Sequence, residues 1–331
     1  MTSQKESTRT AAIIAQQSRR AGGMLLSGGT IVALLLLIVF FFAMRPETFL
    51  SFVNVRNILY QVSILAIIAG AQTIVMVVGD FDLSVGATSS LAGAVTAALL
   101  IANNPLPIPA AILAGLAAGL LVGLVNGILI AYLNLSAFIA TLATMTSVIG
   151  LAYLVTGGTT VFGMPPEFNE LGQGRFLNIP LPVYIAVVIS VIIWALLRFT
   201  TIGRRWHAIG GNVEVARLSG VNVRWARLLA FTLAGFVSAI GGILLAARLG
   251  SAAAEQGGDN MMFSVAAVFL GMTVLRSGAA NLGGTMIGVA IIGVMSNGLN
   301  ILGVNAYVQQ VVTGLIIIAA VTLSSLRTRD R

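Results

Sequence analysis

The chain has 331 residues, of which 58% are hydrophobic and only 8% charged, with a net charge of +8. A soluble domain carries about 25% charged residues, so this composition cannot supply a water-soluble shell. There are no cysteines, one histidine (His207) and one lysine (Lys5). These counts exclude a disulfide framework and a Cys/His metal cluster, and no lysine stands in the glycine-rich setting of a phosphate-binding loop.

Ten apolar segments read as membrane-crossing helices, each of which needs about 20 residues. They run over about 24–44, 57–79, 84–102, 108–132, 136–157, 180–199, 227–249, 261–275, 282–302 and 306–325. The first follows a long polar leader without a small-residue cleavage site, and reads as an uncleaved span. Residues 1–23 and 326–331 then form tails around a membrane domain over 24–325. Only Asp80-Phe-Asp-Leu83 separates the second segment from the third, and 261–275 is short for a crossing. Both features point to broken helices, as in transporters. Eight or nine full spans with a re-entrant piece is the other count.

With the N-terminus inside, the cytoplasmic segments hold all but Arg45, Arg56, Arg175 and Arg248 of the 18 basic residues. That asymmetry places both termini in the cytoplasm. The basic residues flank apolar segments and do not interleave with aromatics, so they anchor to a membrane rather than bind nucleic acid.

A constant offset of 171 residues pairs Gly70 with Gly241, Gly79 with Gly250, Gly86 with Gly257, Asn126-Gly127 with Asn297-Gly298, and Asn134 with Asn305. The partner spans 57–79 and 227–249 run in opposite directions across the membrane. The expected fold is therefore all-α, with about ten transmembrane helices in two inverted five-helix repeats and a pathway at their interface.

Three constellations stand out. The loop 201–226 contains Arg204, Arg205, the pair Gly210-Gly211, Asn212, Glu214, Arg217 and Gly220. It reads as a turn at the two glycines leading into one short helix. Asn212 caps its start, Glu214 and Arg217 suit its dipole, and Gly220 ends it. The stretch Gly79-Asp-Phe-Asp-Leu-Ser-Val-Gly86 reads as a helix break, with Asp82 or Ser84 capping the next helix; Asp80 has no assigned role. A proton or cation relay through Asp80 and Asp82 is the alternative. Finally, Gln61, Gln72, Asn126, Asn297, Asn300, Gln309 and Gln310 place amides within apolar spans. Such groups must face another helix, a second subunit or a cavity. Gln72, Asn126, Asn297 and Asn300 are the candidates for an uncharged pathway lining. One histidine and no clustered acid pair leave little for acid–base catalysis, so the chain reads as no enzyme.

The stretch Ala208-Ile-Gly-Gly-Asn, continuing through Ala216-Arg-Leu-Ser-Gly-Val-Asn-Val, resembles the coupling loop of ABC permeases of the ribose, xylose and arabinose type. Gly79–Gly86 resembles that family's G-G-I-D-L-S-V-G signature, with Asp80-Phe81 in place of Gly-Ile. Val125–Leu133, Ala137–Leu142 and Gly298–Val304 resemble further family blocks, and Gly271–Gly278 continuing to Gly284-Thr285 resembles a more glycine-rich block in which Arg276 is atypical. The resemblance covers about 50–325. It implies a subunit of a monosaccharide importer in the bacterial inner membrane, without a cofactor or metal of its own. ATP and Mg would be bound by a separate cytoplasmic ATPase docked on the 201–226 loop. A periplasmic or lipid-anchored sugar-binding protein and a second permease subunit, identical or related, would complete the machine. A branched-chain amino acid or nucleoside permease of the same architecture, or an ion-coupled secondary transporter, are the other readings.

Overall fold

The computed structural model describes residues 31–273 and 278–329. The N-terminal tail with its basic residues, the start of the first span, Arg276 and the last two residues lie outside the described residues. The helices are α1 (Ile31–Met44), α2 (Pro46–Phe49), α3 (Phe52–Val78), α4 (Val85–Ile101), α5 (Ile108–Ala131) and α6 (Ala137–Thr156). They continue with α7 (Pro166–Gln173), α8 (Leu181–Phe199), α9 (Thr201–Gly211), α10 (Val213–Leu218), α11 (Val223–Leu249), α12 (Gly258–Met272), α13 (Leu282–Ile301) and α14 (Ala306–Arg329). Four two-residue strands form two small antiparallel ribbons: β1 (Val161–Phe162) with β4 (Ser251–Ala252), and β2 (Arg175–Phe176) with β3 (Ile179–Pro180).

This is an all-α membrane protein. Six helices, α3, α5, α6, α8, α11 and α13, are long and apolar enough to cross a bilayer, and α1, α4, α12 and part of α14 are shorter apolar helices. Helix α3 is the central rod, 83% buried over its most apolar window, whereas α8 is 22% buried and turns most of its apolar surface outward. Exposed Val187, Val191, Ile192 and Trp194 on α8 would be costly in water and are at home in lipid.

Two helix starts lie further out than hydropathy alone indicates. Helix α3 begins at Phe52, because Ser51 Oγ accepts from the N–H of Asn54 at 3.3 Å. Helix α11 begins at Val223, where Asn222 Oδ1 accepts from the N–H of Trp225 at 3.0 Å. The caps satisfy free N–H groups, so helix continues into the polar flank. The starts of α3 and α11 differ by 171 residues, both are 27 residues long, and both end on a left-handed glycine: Gly79 (φ 93°) and Gly250 (φ 62°). After each glycine the chain runs non-helically to the next helix. Gly86, in the first turn of α4, meets Gly257 at the end of the second stretch: a Cβ on Gly86 would stand 2.8 Å from the Gly257 carbonyl oxygen. Ser90 Oγ accepts from the Gly257 N–H at 2.8 Å.

Helices α4, α5 and α11 pack backbone to backbone. A Cβ on Gly123 would collide with the carbonyl oxygen of Phe231, one on Gly235 with that of Gly119, and one on Gly242 with that of Ser89. Small residues give this close approach in membrane helices, where dispersion rather than water exclusion drives packing. Gly123→Ala is therefore expected to destabilise the protein by about 1–3 kcal/mol, the usual cost of overpacking. Gly150→Ala in α6, where a Cβ meets nothing within 4 Å, is expected to be neutral or stabilising by up to about 1 kcal/mol. Thermal melts in one detergent check the pair; equal losses would refute the backbone-contact account.

Candidate functional site

The loop between α8 and α11 holds two helices, where the sequence led us to expect one. Gly210 and Gly211 are the last residues of α9 and do not form a turn; the break falls at Asn212 (φ −160°, ψ 112°). The reason is packing: a Cβ on Gly210 would collide with the carbonyl oxygen of Val77. Glycine here lets the helix lie directly on the end of α3. Thr200 opens α9 by accepting from the Gly203 N–H at 3.1 Å. Trp206, fully buried, donates from Nε1 to the Ala226 carbonyl at 2.8 Å. Helix α9 thus grips the last turn of α3 and the first turn of α11.

Asn212 Oδ1 accepts from the N–H groups of Glu214 (3.0 Å) and Val215 (3.1 Å), opening α10. Gly220 closes it at φ 82°, with its N–H on the Arg217 carbonyl at 3.0 Å. Only Ala216 of α10 is buried. Glu214 and Arg217 pair on the outer side at 2.5 Å. Beside them Val215 and Leu218 are exposed, Leu218 at 86%. Reading the sequence by charge passed over these two apolar residues, although their three-residue spacing, out of step with Val213 and Ala216, marks a second apolar face. Arg204 and Arg205 are exposed on α9.

The break after α3 is built around its two carboxylates, both outside the helices. Asp80 pairs with Arg227 in the first turn of α11: Nε lies 2.9 Å from Oδ2, and Nη2 donates to Oδ1 at 3.4 Å. The two side chains are 12% and 25% exposed respectively. Burial raises the Asp80 pKa above the ordinary carboxylate value, with the Arg227 charge pulling against it. Asp82 is buried and accepts from the Ser84 N–H (2.8 Å) and hydroxyl (2.6 Å). Burial raises its pKa, and the two Ser84 bonds oppose the shift. Ser84 stands at the N-cap of α4 but turns its hydroxyl to Asp82, and so caps no N–H of that helix. Ser84 Oγ also accepts from Asn126 Nδ2 at 2.8 Å. Leu83 N–H donates to Thr141 Oγ1 at 3.1 Å. The non-helical backbone inside the bundle is thus pinned by side chains of α5 and α6, as buried polar groups require.

The four candidate lining amides separate. Asn126 donates from Nδ2 to Ser84 while its Oδ1 is buried without a partner, and Asn297 exchanges two bonds with Asn54 (2.9 and 3.0 Å). Asn300 is exposed at the C-terminal end of α13. Gln72 is fully buried with both amide atoms unpartnered, and Ser238 Oγ of α11 is likewise unpartnered. Gly241 packs on Ile68, so Gln72 and Ser238 lie at similar depth, one turn nearer the loop. Three turns from Gln72 on the same face of α3, Gln61 lines a cavity of about 160 Å³ with Arg248, Asn260, Phe263 and Ser296. It sits between α3, α11, α12 and α13, toward the face opposite the loop. The sequence reading missed Arg248, Asn260 and Ser296, because the cavity forms only when four helices meet. Among the described residues no group of three or more His, Cys, Asp or Glu side chains is arranged to hold a metal ion.

Apolar crossing helices, a cavity between four of them that carries polar side chains among apolar ones, and a helical loop laid against the central rod define a multi-pass membrane permease. The chain belongs to the family of permease components of branched-chain amino acid transport systems, which matches residues 54–321. It is 43% identical over 279 residues to the ribose import permease protein RbsC of Bacillus subtilis, covering 83% of this chain and 86% of that protein. It is 37% identical to RbsC of Escherichia coli K12 over 282 residues (84% and 87%). The L-arabinose transport system permease protein AraH of the same strain is 38% identical over 273 residues (82% and 83%). No solved structure matches the chain significantly.

Removing one partner of the Asp80–Arg227 pair is expected to cost roughly 1–3 kcal/mol, between the values for exposed and fully buried pairs. Asp80→Asn and Arg227→Gln should each lower the melting temperature, and the exchange Asp80→Arg with Arg227→Asp should recover part of the loss. A double-mutant cycle with no coupling would show that the pair does not hold the break to α11.

Proposed function

We propose that this chain is the membrane-spanning permease subunit of an ATP-binding-cassette importer that moves a monosaccharide of the ribose and arabinose class across the bacterial inner membrane. The observation that carries the reading is the 37–43% identity, over more than four-fifths of the chain, to permeases named for ribose and L-arabinose. A separate cytoplasmic ATPase would bind ATP and Mg, a sugar-binding protein would deliver the solute from the periplasm, and a second permease subunit would complete the membrane unit.

The ten apolar helices are read as ten crossings in two inverted five-helix repeats, with both termini cytoplasmic. The equal lengths, equal glycine ends and opposite directions of α3 and α11, and the Gly86–Gly257 contact between their sequels, support this arrangement. Helix α10 is the proposed ATPase contact, with Leu218 and Val215 as apolar anchors and Glu214 and Arg217 as flanking charges. Apolar centres ringed by polar groups are what protein interfaces use. Motion of α9 would be transmitted through Gly210 to α3 and through Trp206 to α11. The cavity beneath Gln61, Arg248, Asn260 and Ser296 is the proposed outer station for the sugar. Amide and hydroxyl groups with unused bonding capacity suit a solute rich in hydroxyls, and Gln72 with Ser238 would be the next station inward.

Two measurements test this. Leu218→Asp and the pair Glu214→Ala with Arg217→Ala are expected to weaken ATPase association at least tenfold without lowering the melting temperature of the permease; unchanged association would remove α10 from the contact. For the solute, the cysteine-free sequence provides a clean background. In proteoliposomes with ATPase and binding protein, ATP-dependent uptake of D-ribose or L-arabinose is expected from the native chain, and uptake of branched-chain amino acids or nucleosides instead would reassign the substrate. In Ser296→Cys, a hydrophilic thiol reagent added outside should block uptake, and sugar should slow that modification. Labelling without loss of uptake would exclude the cavity from the route.

A further inference from the structure

Two cavities outside the proposed route lie end to end along α8. The first, of about 520 Å³, opens at the loop face and is lined by Arg198, Arg204, His207 and Asn281. The second, of about 430 Å³, is an apolar groove between α3, α8 and α13, floored by residues such as Val183, Val187, Ser190 and Met286. They share Trp194, Leu282 and Gly283, so one continuous surface passes from a cationic head to an apolar trough. On α8 the stripe Val183, Val187, Ser190, Trp194, Arg198 follows the three- and four-residue spacing of a single helix face.

The head end is built for an anion. Among the described residues neither Arg198 nor Arg204 has a carboxylate within ion-pair distance; the two ion pairs are Arg217–Glu214 and Arg227–Asp80. Arg204 Nη1 donates to the Phe199 carbonyl at 3.3 Å, which holds the guanidinium near the rim. His207 Nδ1 donates to the Gly203 carbonyl at 2.8 Å, leaving Nε2 as its open nitrogen. The 20-residue helix α13 starts at the same cavity. Asn281 Oδ1 takes the N–H of Gly284 at 2.8 Å, and the N–H groups of Leu282 and Gly283 have no partner within the helix. Two uncompensated arginines and a helix N-terminus favour a phosphate.

The tail end is built for hydrocarbon. Its walls are almost wholly apolar, and Val187 and Val191 are more than half exposed on the outward side of α8. An inorganic anion or a nucleotide would explain the head but leave the trough uncovered. A second copy of the chain would cover the trough but bring no stated charge to the arginines. One molecule meets both demands at the observed spacing: a lipid with an anionic head and acyl chains.

We propose that the surface formed by α8, α9 and the start of α13 is a binding site for an anionic phospholipid of the cytoplasmic leaflet. The phosphate sits among Arg198, Arg204, His207 and the first turn of α13, and an acyl chain lies in the groove beside Trp194. This inference uses the orientation proposed above but not the substrate or the ATPase. Basic pockets between membrane helices on the cytoplasmic side are suited to such headgroups. Because Arg204 and His207 belong to α9, the lipid is a contact of the loop helix itself, so membrane charge reaches the element that touches α3 and α11.

Trp194 makes the site readable. The purified full chain is placed in phosphatidylcholine vesicles containing a minor fraction of acyl-brominated phosphatidylglycerol or, in parallel, acyl-brominated phosphatidylcholine, and tryptophan quenching is measured. The expected result is a preference for the anionic lipid of roughly thirtyfold in relative association, the factor that two arginines at an anionic surface supply. The preference should disappear in Trp194→Phe and fall close to unity in Arg198→Gln with Arg204→Gln. Ser190→Phe, which fills the trough and leaves the arginines, should reduce quenching by the brominated chain; it keeps the test decisive if the arginine variant folds poorly. Equal quenching by both lipids in the native chain overturns the proposal. So does equal quenching accompanied by inorganic phosphate protecting Arg198 from a guanidine-modifying reagent, which assigns the head to a free anion. Absence of quenching by either lipid also overturns it, since the trough is then covered by protein.

Discussion

The structure depends on one kind of contact: a glycine that lets one helix backbone rest on the carbonyl of another. At Gly123 and Gly235 it joins α5 to α11, and at Gly242 it joins α4 to α11. The same device recurs at Gly210, where it is used for a different purpose. There it lays a loop helix directly on the last turn of the central rod. In lipid, apolar surface gains little by leaving one oily neighbour for another, so contact area and fit must supply the association. Backbone contact gives the largest area at the smallest separation. It also leaves no side chain between the helices to absorb a displacement, so a shift of α9 is felt by α3 without slack.

The non-helical stretches set the second constraint. A chain that leaves the helix inside the bundle exposes N–H and C=O groups that lipid cannot satisfy. Thr141 and Asp82 supply that satisfaction for the N–H groups of Leu83 and Ser84, Asn126 holds the Ser84 hydroxyl, and Ser90 accepts from the N–H of Gly257. The polar residues of these spans therefore divide into two groups. Most are structural partners of irregular backbone or of one another, as Asn54 and Asn297 are. A few, with Gln72 and Ser238 foremost, have bonding capacity left over.

How much of this could be read in advance depended on whether the information was local. The apolar segments appear as helices close to where hydropathy put them, because each needs only its own residues. The Asn212 cap and the Gly220 stop follow from neighbours in sequence. Helix α9 did not, since the Gly210-Gly211 pair signals a turn locally and only the carbonyl of Val77, on another helix, explains glycine there. Asp80 had no role in isolation because its partner, Arg227, is 147 residues away. The four-helix cavity and the α8 stripe likewise exist only after packing. Small ribbons and α7 filled the stretch after α6 that carried no strong period of its own.

Helix α10 has six residues, of which Ala216 is buried and Val213 packs partly against the core, while Glu214, Val215, Arg217 and Leu218 face outward. Its outward side chains can therefore change without disturbing a core, a cap or a backbone contact. With α10 as the proposed ATPase contact and the four-helix cavity as the proposed solute station, partner choice and solute choice would be written in separate parts of one polypeptide, and each could drift without erasing the other. Gene duplication of such a chain would yield new pairings by editing a handful of codons, while the membrane-embedded architecture passed on unaltered.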